Sequence, residues 1–106
     1  TNFTLIRGSL SETVGPSGSG KGHVIKRCPN CGDQIYSHFM GLNNLLVLKT
    51  TTLSNANELP PQAHVFLDSK LEWLKLSDNI PKFDKFYRRE EIYSDESLER
   101  MKIALQ

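Results

Sequence analysis

The sequence lacks an excess of charge of either sign, and it lacks a long apolar run. Its 13 basic and 12 acidic residues give a net charge of +1, which argues against binding to nucleic acid or to a membrane surface through bulk charge. No apolar run approaches the roughly 20 residues that span a bilayer. The first residues show no basic region followed by an apolar core, so we expect no secretory signal peptide.

Cysteine is also scarce, because Cys28 and Cys31 are the only 2 in the chain. They form a C-x-x-C motif. In a chain without a secretion signal, a pair this close indicates a metal or redox site before it indicates a structural disulfide. We therefore expect a reducing compartment, and specifically a cytoplasmic location.

Five segments rich in residues that favour β-strands predict a mainly β chain. With 106 residues, of which 38% are hydrophobic, the length suits one domain with a modest core. The Gly, Ser and Pro density of residues 8–22 predicts a loop. This order of elements excludes a doubly wound α/β sheet. The predicted strands cover residues 3–7, 23–27, 34–39, 45–49 and 62–67.

The last part of the chain predicts a helix over residues 94–106. Ser94 can cap its start, and the acidic side chains of Asp95 and Glu96 suit the positive end of the helix dipole. Before it, residues 68–88 have weak periodicity and contain several aromatic side chains. We interpret them as an irregular segment that is packed by its aromatics.

The strongest local motif is C-P-N-C-G at residues 28–32. Two thiolates at this spacing can both face one tetrahedral metal, and a Gly after the second Cys relieves the tight turn. We therefore predict that Cys28 and Cys31 are metal ligands, with zinc as the cofactor. A free or disulfide-bonded pair is the plainer alternative, and a thioredoxin-like redox pair is disfavoured because that motif opens a helix. The three histidines lack finger-like spacing; they are His23, His38 and His64.

A second motif, at residues 15–22, matches the phosphate-binding pattern G-x-x-x-x-G-K. The position that needs a hydroxyl for magnesium is Gly22, and the following residues favour a strand where the motif needs a helix. We therefore interpret this segment as a flexible turn between two strands. Nucleotide binding is kept only as a distant alternative.

Five blocks of the sequence, taken in order from about Phe3 to about Tyr87, together resemble the glutathione-dependent formaldehyde-activating enzymes and their centromere-protein-V-like relatives. One such block would be a weak indication, and five in the right order indicate homology. The blocks are S-G-S-G-K-G at 17–22 with C-P-N-C-G-D-Q-I-Y-S at 28–37, L-K-T-T-T-L-S-N at 48–55, P-Q-A-H-V-F at 61–66, S-K-L-E-W at 69–73, and L-S-D-N-I-P-K-F-D at 76–84.

The resemblance implies a zinc-containing β-rich fold called a β-tent. It also implies carbon–sulfur lyase chemistry, in which formaldehyde and glutathione join to give S-hydroxymethylglutathione, so glutathione and a small aldehyde are the expected partners. Two zinc sites are implied. The structural site takes an upstream C-x-C pair together with a C-P-x-C pair, which here is Cys28 and Cys31. The catalytic site takes an upstream cluster of the C-H-C-x-x-C kind.

The sequence departs from that pattern where the metal ligands are concerned. Neither C-x-C nor C-H-C-x-x-C occurs in its 106 residues. We therefore expect a truncated β-tent-like fold with a C-terminal helix. Residues 1–88 would be the C-terminal part of such a domain, and residues 89–106 a helical extension. We assign no catalytic residue.

Alone, the chain is expected to be inactive. Its half-site at Cys28 and Cys31 would be completed by a second copy, a histidine or a separate N-terminal segment. The alternative function is a non-catalytic, zinc-ribbon-like interaction module.

Overall fold

A computed structural model describes residues 3–17, 20–39 and 41–106. Within them the chain forms one four-stranded antiparallel sheet, in the order β1-β2-β3-β4, and a C-terminal helix. The protein is thus a small, mainly β chain. The strands are β1 (Ser11–Gly15), β2 (His23–Arg27), β3 (Gln34–Phe39) and β4 (Val47–Leu48), and the helices are α1 (Arg89–Ile92) and α2 (Asp95–Ala104).

The chain divides into two compact units. The first unit comprises Thr1–Ala56 together with Ala104–Gln106, and it contains the sheet. The second unit is Asn57–Ile103, and it contains both helices except for the last residue of α2. The predicted boundary between residues 88 and 89 stays a prediction.

The register of the sheet decides which side chains share a face. Ser37 of β3 lies opposite Ile25 of β2 and Val47 of β4. Residues directly opposite each other in an antiparallel pair point to the same side of the sheet. These three side chains therefore lie on one face, and Tyr36 with its partner Leu48 lies on the other.

The sheet has little buried apolar surface. Among the described residues no apolar side chain is buried, and only Ser37, at 1% exposure, is buried at all. Large apolar side chains such as Ile6 and Trp73 are 92% and 73% exposed. Since apolar burial is the main favourable term in folding, we expect the isolated chain to be only marginally stable.

Aromatic rings organise the second unit around Tyr87. Its ring stacks on Phe86 at a centroid distance of 4.2 Å and lies 6.0 Å from Phe83 and 5.9 Å from Tyr93. Burial and a hydrogen bond from its hydroxyl to that of Tyr93 raise the pKa of Tyr87 to about 12. The prediction that residues 68–88 are irregular is confirmed. Phe83, Phe86 and Tyr87 pack together as expected, but Trp73, which was expected to pack with them, is 73% exposed.

The C-terminal helix was correctly predicted. Ser94 precedes α2, and its Oγ accepts a hydrogen bond from the Ser97 N–H over 3.2 Å. That contact satisfies one of the N–H groups that a helix start leaves free. In the described part of the chain, α2 included, no helix is long and apolar enough to cross a membrane.

Two predicted strands are wrong. Residues 3–7 form no strand, and the first strand is instead Ser11–Gly15, inside the predicted loop. Its pairing with β2 outweighs the polar composition that favoured a loop. Residues 62–67 form only an isolated bridge at His64, because Phe66 takes a left-handed conformation with φ of 58° and ends any extended run. The strands predicted at 23–27 and 34–39 are confirmed.

Candidate functional site

The two cysteines lie in the hairpin turn that joins β2 to β3. The Cys28 N–H donates to the Asp33 carbonyl, and the Gly32 N–H donates to the Cys28 carbonyl, each over 2.8 Å. Gly32 has φ of +79°, a conformation that costs a residue with a Cβ roughly 1–2 kcal/mol. The sequence thus places a Gly where the turn needs one. We call residues 28–33 the cysteine knuckle.

The knuckle favours the thiolate of Cys28. The backbone N–H of Cys31 and then that of Asn30 donate toward its sulfur, and together with the Cys31 thiol they lower the pKa of Cys28. Burial and then the negative charge of Asp33 act in the opposite direction, but both effects are weaker. Both cysteines are free thiols, with Cys28 half-buried and Cys31 exposed. A stabilised thiolate beside a second, exposed thiol is a suitable metal donor or nucleophile.

Two of the histidines belong to the first unit, and each ring contacts a neighbouring residue there, although the Nε2 of His23 is buried without a hydrogen-bond partner among the described residues. His23 of β2 stacks on Phe39 of β3 at a centroid distance of 3.9 Å. His38 has its Nδ1 at 2.7 Å from the Leu45 carbonyl oxygen and 3.1 Å from that of Leu42. The described residues contain no group of three or more His, Cys, Asp or Glu side chains arranged to hold a metal ion. The structure therefore does not bring a histidine to Cys28 and Cys31.

The glycine-rich segment behaves as a turn between strands. It follows β1 and runs directly into β2, where a phosphate-binding loop requires a helix. The Gly20 N–H donates to the Ser17 carbonyl over 3.0 Å, and the Ser17 hydroxyl donates to the Gly22 carbonyl over 3.2 Å. Gly18 and Ser19 lie outside the described residues. The expected turn is confirmed for the rest.

The sequence reasoning missed one polar constellation in the second unit. The ring Nε2 of His64 lies 2.9 Å from Asp78 Oδ2, and Lys82 Nζ donates to Asp78 Oδ1 over 2.9 Å. His64 also borders a cavity of about 330 Å³. The sequence interpretation left His64 on a strand face and Asp78 among scattered surface carboxylates. No local sequence pattern predicts a contact between these two residues, which are 14 positions apart in the chain.

A small antiparallel sheet with a C-x-x-C turn between its second and third strands defines a β domain with a candidate metal-binding knuckle. The model of one family, the glutathione-dependent formaldehyde-activating enzymes, matches residues 1–69. The chain belongs to this family, as its sequence blocks predicted, and the family indicates a glutathione-related, formaldehyde-activating function. A search of curated proteins and a search of solved structures each found no match.

Proposed function

We propose that this chain takes part in zinc-dependent carbon–sulfur lyase chemistry, in which glutathione adds to formaldehyde to give S-hydroxymethylglutathione. The family match supports the substrates. The observation that supports zinc is the knuckle, in which two free thiols share one turn and backbone N–H groups lower the pKa of Cys28. Zinc binds cysteine as the thiolate, so a site that already favours that form suits it.

The donor set fits half of a zinc site. Cys28 and Cys31 would hold the metal through two sulfurs, and a structural zinc site takes four ligands. When bound, zinc would fix the two thiolates and tie β2 to β3. We propose that in the chain alone the two remaining positions are filled by the knuckle of a second copy of this chain, and that a separate N-terminal segment with its own C-x-C pair would take the place of that copy.

The chain alone is not proposed to turn over substrate. Within the part of the chain that the structure describes, the only candidate metal donors of the knuckle are its two thiols. The chain would therefore contribute two of the four ligands of a structural zinc site and part of the surface that binds glutathione. The ligands of the catalytic metal would come from a separate N-terminal segment.

A second candidate function is a non-catalytic, zinc-ribbon-like interaction module. It is favoured by the exposure of apolar side chains on a sheet without buried apolar residues among those described. In the first unit Val14 is 67% exposed and Val47 is 45% exposed. Such side chains are suited to burial against a partner.

Cobalt substitution tests the zinc proposal. Co²⁺ bound by thiolates gives an intense sulfur-to-metal absorption band, and its intensity scales with the number of sulfurs. We expect this band on adding Co²⁺ to the reduced chain, its loss on adding Zn²⁺, and its absence in the variant Cys28→Ser/Cys31→Ser. The variant His38→Gln is a matched control, because His38 bonds the loop carbonyls of Leu42 and Leu45. An unchanged spectrum in the double serine variant would exclude the knuckle as the site.

Formaldehyde and glutathione provide the test between the two functions. Exchange of label between them, followed by NMR, measures adduct formation directly. We expect no acceleration by the chain alone and zinc-dependent acceleration once a segment with the missing cysteine clusters is added. If the completed zinc complex still gives no acceleration, the interaction module is the better account.

A further inference from the structure

The two sulfurs of the cysteine knuckle are close enough to be joined covalently. Cys28 and Cys31 are three positions apart in one turn, which the hydrogen bond from the Gly32 N–H to the Cys28 carbonyl closes over 2.8 Å. Cα atoms at this spacing in a turn lie less than about 7 Å apart, and a disulfide joins Cα atoms that are about 4.4–6.8 Å apart. The Cys31 thiol also lies within hydrogen-bonding distance of the Cys28 sulfur. A disulfide can therefore form here with little movement of the backbone.

The two thiols differ in their exposure to solvent. Both are free, but Cys31 is exposed and Cys28 is half-buried. The rate of thiol–disulfide exchange depends on how easily the incoming disulfide reaches the attacking sulfur. A bulky disulfide therefore reaches Cys31 first, and Cys28 is the second thiol beside it. An accessible cysteine next to a resolving cysteine is the arrangement of a thiol that is modified reversibly.

Arg27 gives the surface beside the knuckle a positive charge. Its Nη1 donates to the Gly32 carbonyl over 3.2 Å, and within the part of the chain that the structure describes it forms no ion pair. The acidic residue of the knuckle, Asp33, is paired instead with Lys49 Nζ over 3.2 Å. A guanidinium has five N–H donors in a fork that matches a carboxylate, so donors remain for an anion. An anionic disulfide is therefore favoured over a neutral one.

We propose that Cys31 is a modification site for an anionic low-molecular-weight disulfide of the glutathione type, and that Cys28 resolves the mixed disulfide to an internal Cys28–Cys31 disulfide. The exchange itself needs no metal. Its consequence rests on the proposed function, because zinc binds cysteine as the thiolate, and the internal disulfide would remove both zinc ligands that the chain supplies. The C-x-x-C pairs of thiol–disulfide proteins have reduction potentials close to that of the glutathione pool, so the modification would be reversible.

Each step conserves atoms and electrons. The Cys31 thiolate attacks one sulfur of the incoming disulfide, the S–S bond of that disulfide breaks, and one glutathione leaves as a thiolate. The Cys28 thiolate then attacks the Cys31 sulfur, the mixed S–S bond breaks, and the second glutathione leaves. The protons of the two cysteine thiols pass through water to the two glutathione thiolates. The chain has thus been oxidised by two electrons, and the incoming disulfide has been reduced to two thiols.

Intact mass spectrometry follows the two steps. The reduced 106-residue chain is mixed with glutathione disulfide in the presence of a chelator, and samples are quenched in acid. We expect the wild type to lose the mass of two hydrogens and Cys28→Ser to keep one glutathionyl group on Cys31. We expect Cys31→Ser to react about tenfold more slowly, because access limits the exchange at Cys28. A lasting glutathionyl group on the wild type, or equal rates in the two serine variants, would overturn the proposal.

The charge of Arg27 provides a test of the class of disulfide. Arg27→Gln, made in the Cys28→Ser chain, should slow the reaction with glutathione disulfide about threefold and leave that with the neutral bis(2-hydroxyethyl) disulfide unchanged. Lys26→Gln is the matched control, because it removes the same charge one position away, where Glu12 already pairs with it at 2.9 Å. It should leave both rates nearly unchanged. Equal slowing with both disulfides, or equal slowing by Lys26→Gln, would overturn the assignment of an anionic disulfide.

Cobalt binding separates this inference from the proposed zinc function. The chain oxidised with glutathione disulfide should give no sulfur-to-cobalt band, and dithiothreitol should restore the band. If the reduced chain gives no band but still forms the internal disulfide, the zinc proposal fails and the modification stands. If the reduced chain gives the band but glutathione disulfide neither modifies Cys31 nor abolishes the band, the modification fails and the zinc proposal stands.

Discussion

The backbone N–H of Gly32 donates to the carbonyl oxygen of Cys28 over 2.8 Å, and this hydrogen bond closes the turn that holds both thiols. The turn requires φ of +79° at Gly32. Local backbone geometry and thiol chemistry are therefore linked in one short segment. This segment, the buried Ser37 and the Asp78 carboxylate each have consequences that can be measured.

Replacing Gly32 by Ala should weaken zinc binding. A Cβ at this position would meet no atom within 4 Å, so the cost is conformational strain alone, about 1–2 kcal/mol. Relief of that strain would move the N–H groups that face the Cys28 sulfur. We expect the zinc affinity, measured by competition with a chromogenic chelator, to fall about tenfold.

Gly8→Ala is the matched control for this change. Gly8 has a similar φ of +84°, and the space that a Cβ would occupy there is equally open, but it lies outside the knuckle. Both variants should lower the melting temperature by similar amounts. If Gly8→Ala weakens zinc binding as much as Gly32→Ala does, the link between the turn and the thiols is wrong.

The thiol of Cys28 should ionise at lower pH than an ordinary cysteine. The N–H groups of Cys31 and Asn30 favour its thiolate and lower its pKa. Because the thiolate is the reacting form, alkylation of the zinc-free chain by iodoacetamide should rise at a lower pH for Cys28 than for an unstructured cysteine peptide. Peptide mapping of the modified residue against pH measures this. Identical profiles before and after denaturation in urea would contradict it.

Replacing Ser37 by Ala should stabilise the chain. Ser37 is 1% exposed, and its hydroxyl has no hydrogen-bond partner among the described residues. A buried polar group without a partner costs about 1–3 kcal/mol, and part of this gain is offset by lost packing. We expect the free energy of unfolding in urea to rise by up to about 1 kcal/mol.

The exposed Ser11 provides the comparison for that variant. Its hydroxyl donates to the Arg27 carbonyl over 3.3 Å at the surface of the sheet, so Ser11→Ala should change the free energy of unfolding by less than about 0.5 kcal/mol. A loss of stability in Ser37→Ala larger than that in Ser11→Ala would show that the Ser37 hydroxyl is satisfied in solution.

Stability should fall in acid partly through Asp78. Its pKa is lowered in the folded chain by Lys82 and then by His64. A carboxylate with a lowered folded pKa stabilises the fold above its unfolded pKa, and this contribution is lost as pH falls through the folded pKa. The loss should begin below about pH 4, where an unfolded Asp takes up its proton.

The variant Asp78→Asn isolates that contribution. It should be less stable than the wild type at neutral pH and should lose less stability between about pH 4 and pH 2, as measured by thermal unfolding. Asp33→Asn is the control, because Asp33 forms a single exposed ion pair with Lys49 at 3.2 Å, and such pairs contribute little. Parallel pH profiles for the wild type and Asp78→Asn would contradict the assignment.

The sequence was sufficient to predict the centre of the sheet and the last helix. At β2 and β3 the β-forming residues flank a C-P-N-C-G turn, so composition and turn chemistry agree. At α2 the cap Ser94 and the acidic first turn agree with the periodicity. The cysteine knuckle was visible for the same reason, since its two thiols and its Gly32 are close together in the chain.

The remaining features depend on pairing between distant residues. Ser11–Gly15 is polar and would be a loop by composition, and it becomes a strand through its partner β2. Phe66 has no local reason for a left-handed backbone. The contact of His64 with Asp78 joins two segments that a sequence pattern does not align. Tertiary pairing decides such positions, so the cavity in the second unit could not be predicted.

The most direct test of the central claim is the zinc content per chain, measured by native mass spectrometry at neutral pH with added Zn²⁺. Our account predicts one zinc in a two-chain species, with four thiolates supplied by Cys28 and Cys31 of both copies, and no zinc in Cys28→Ser/Cys31→Ser. A metal-free monomer in the presence of excess Zn²⁺ would contradict it, because the knuckle would then have no metal-binding role in this chain.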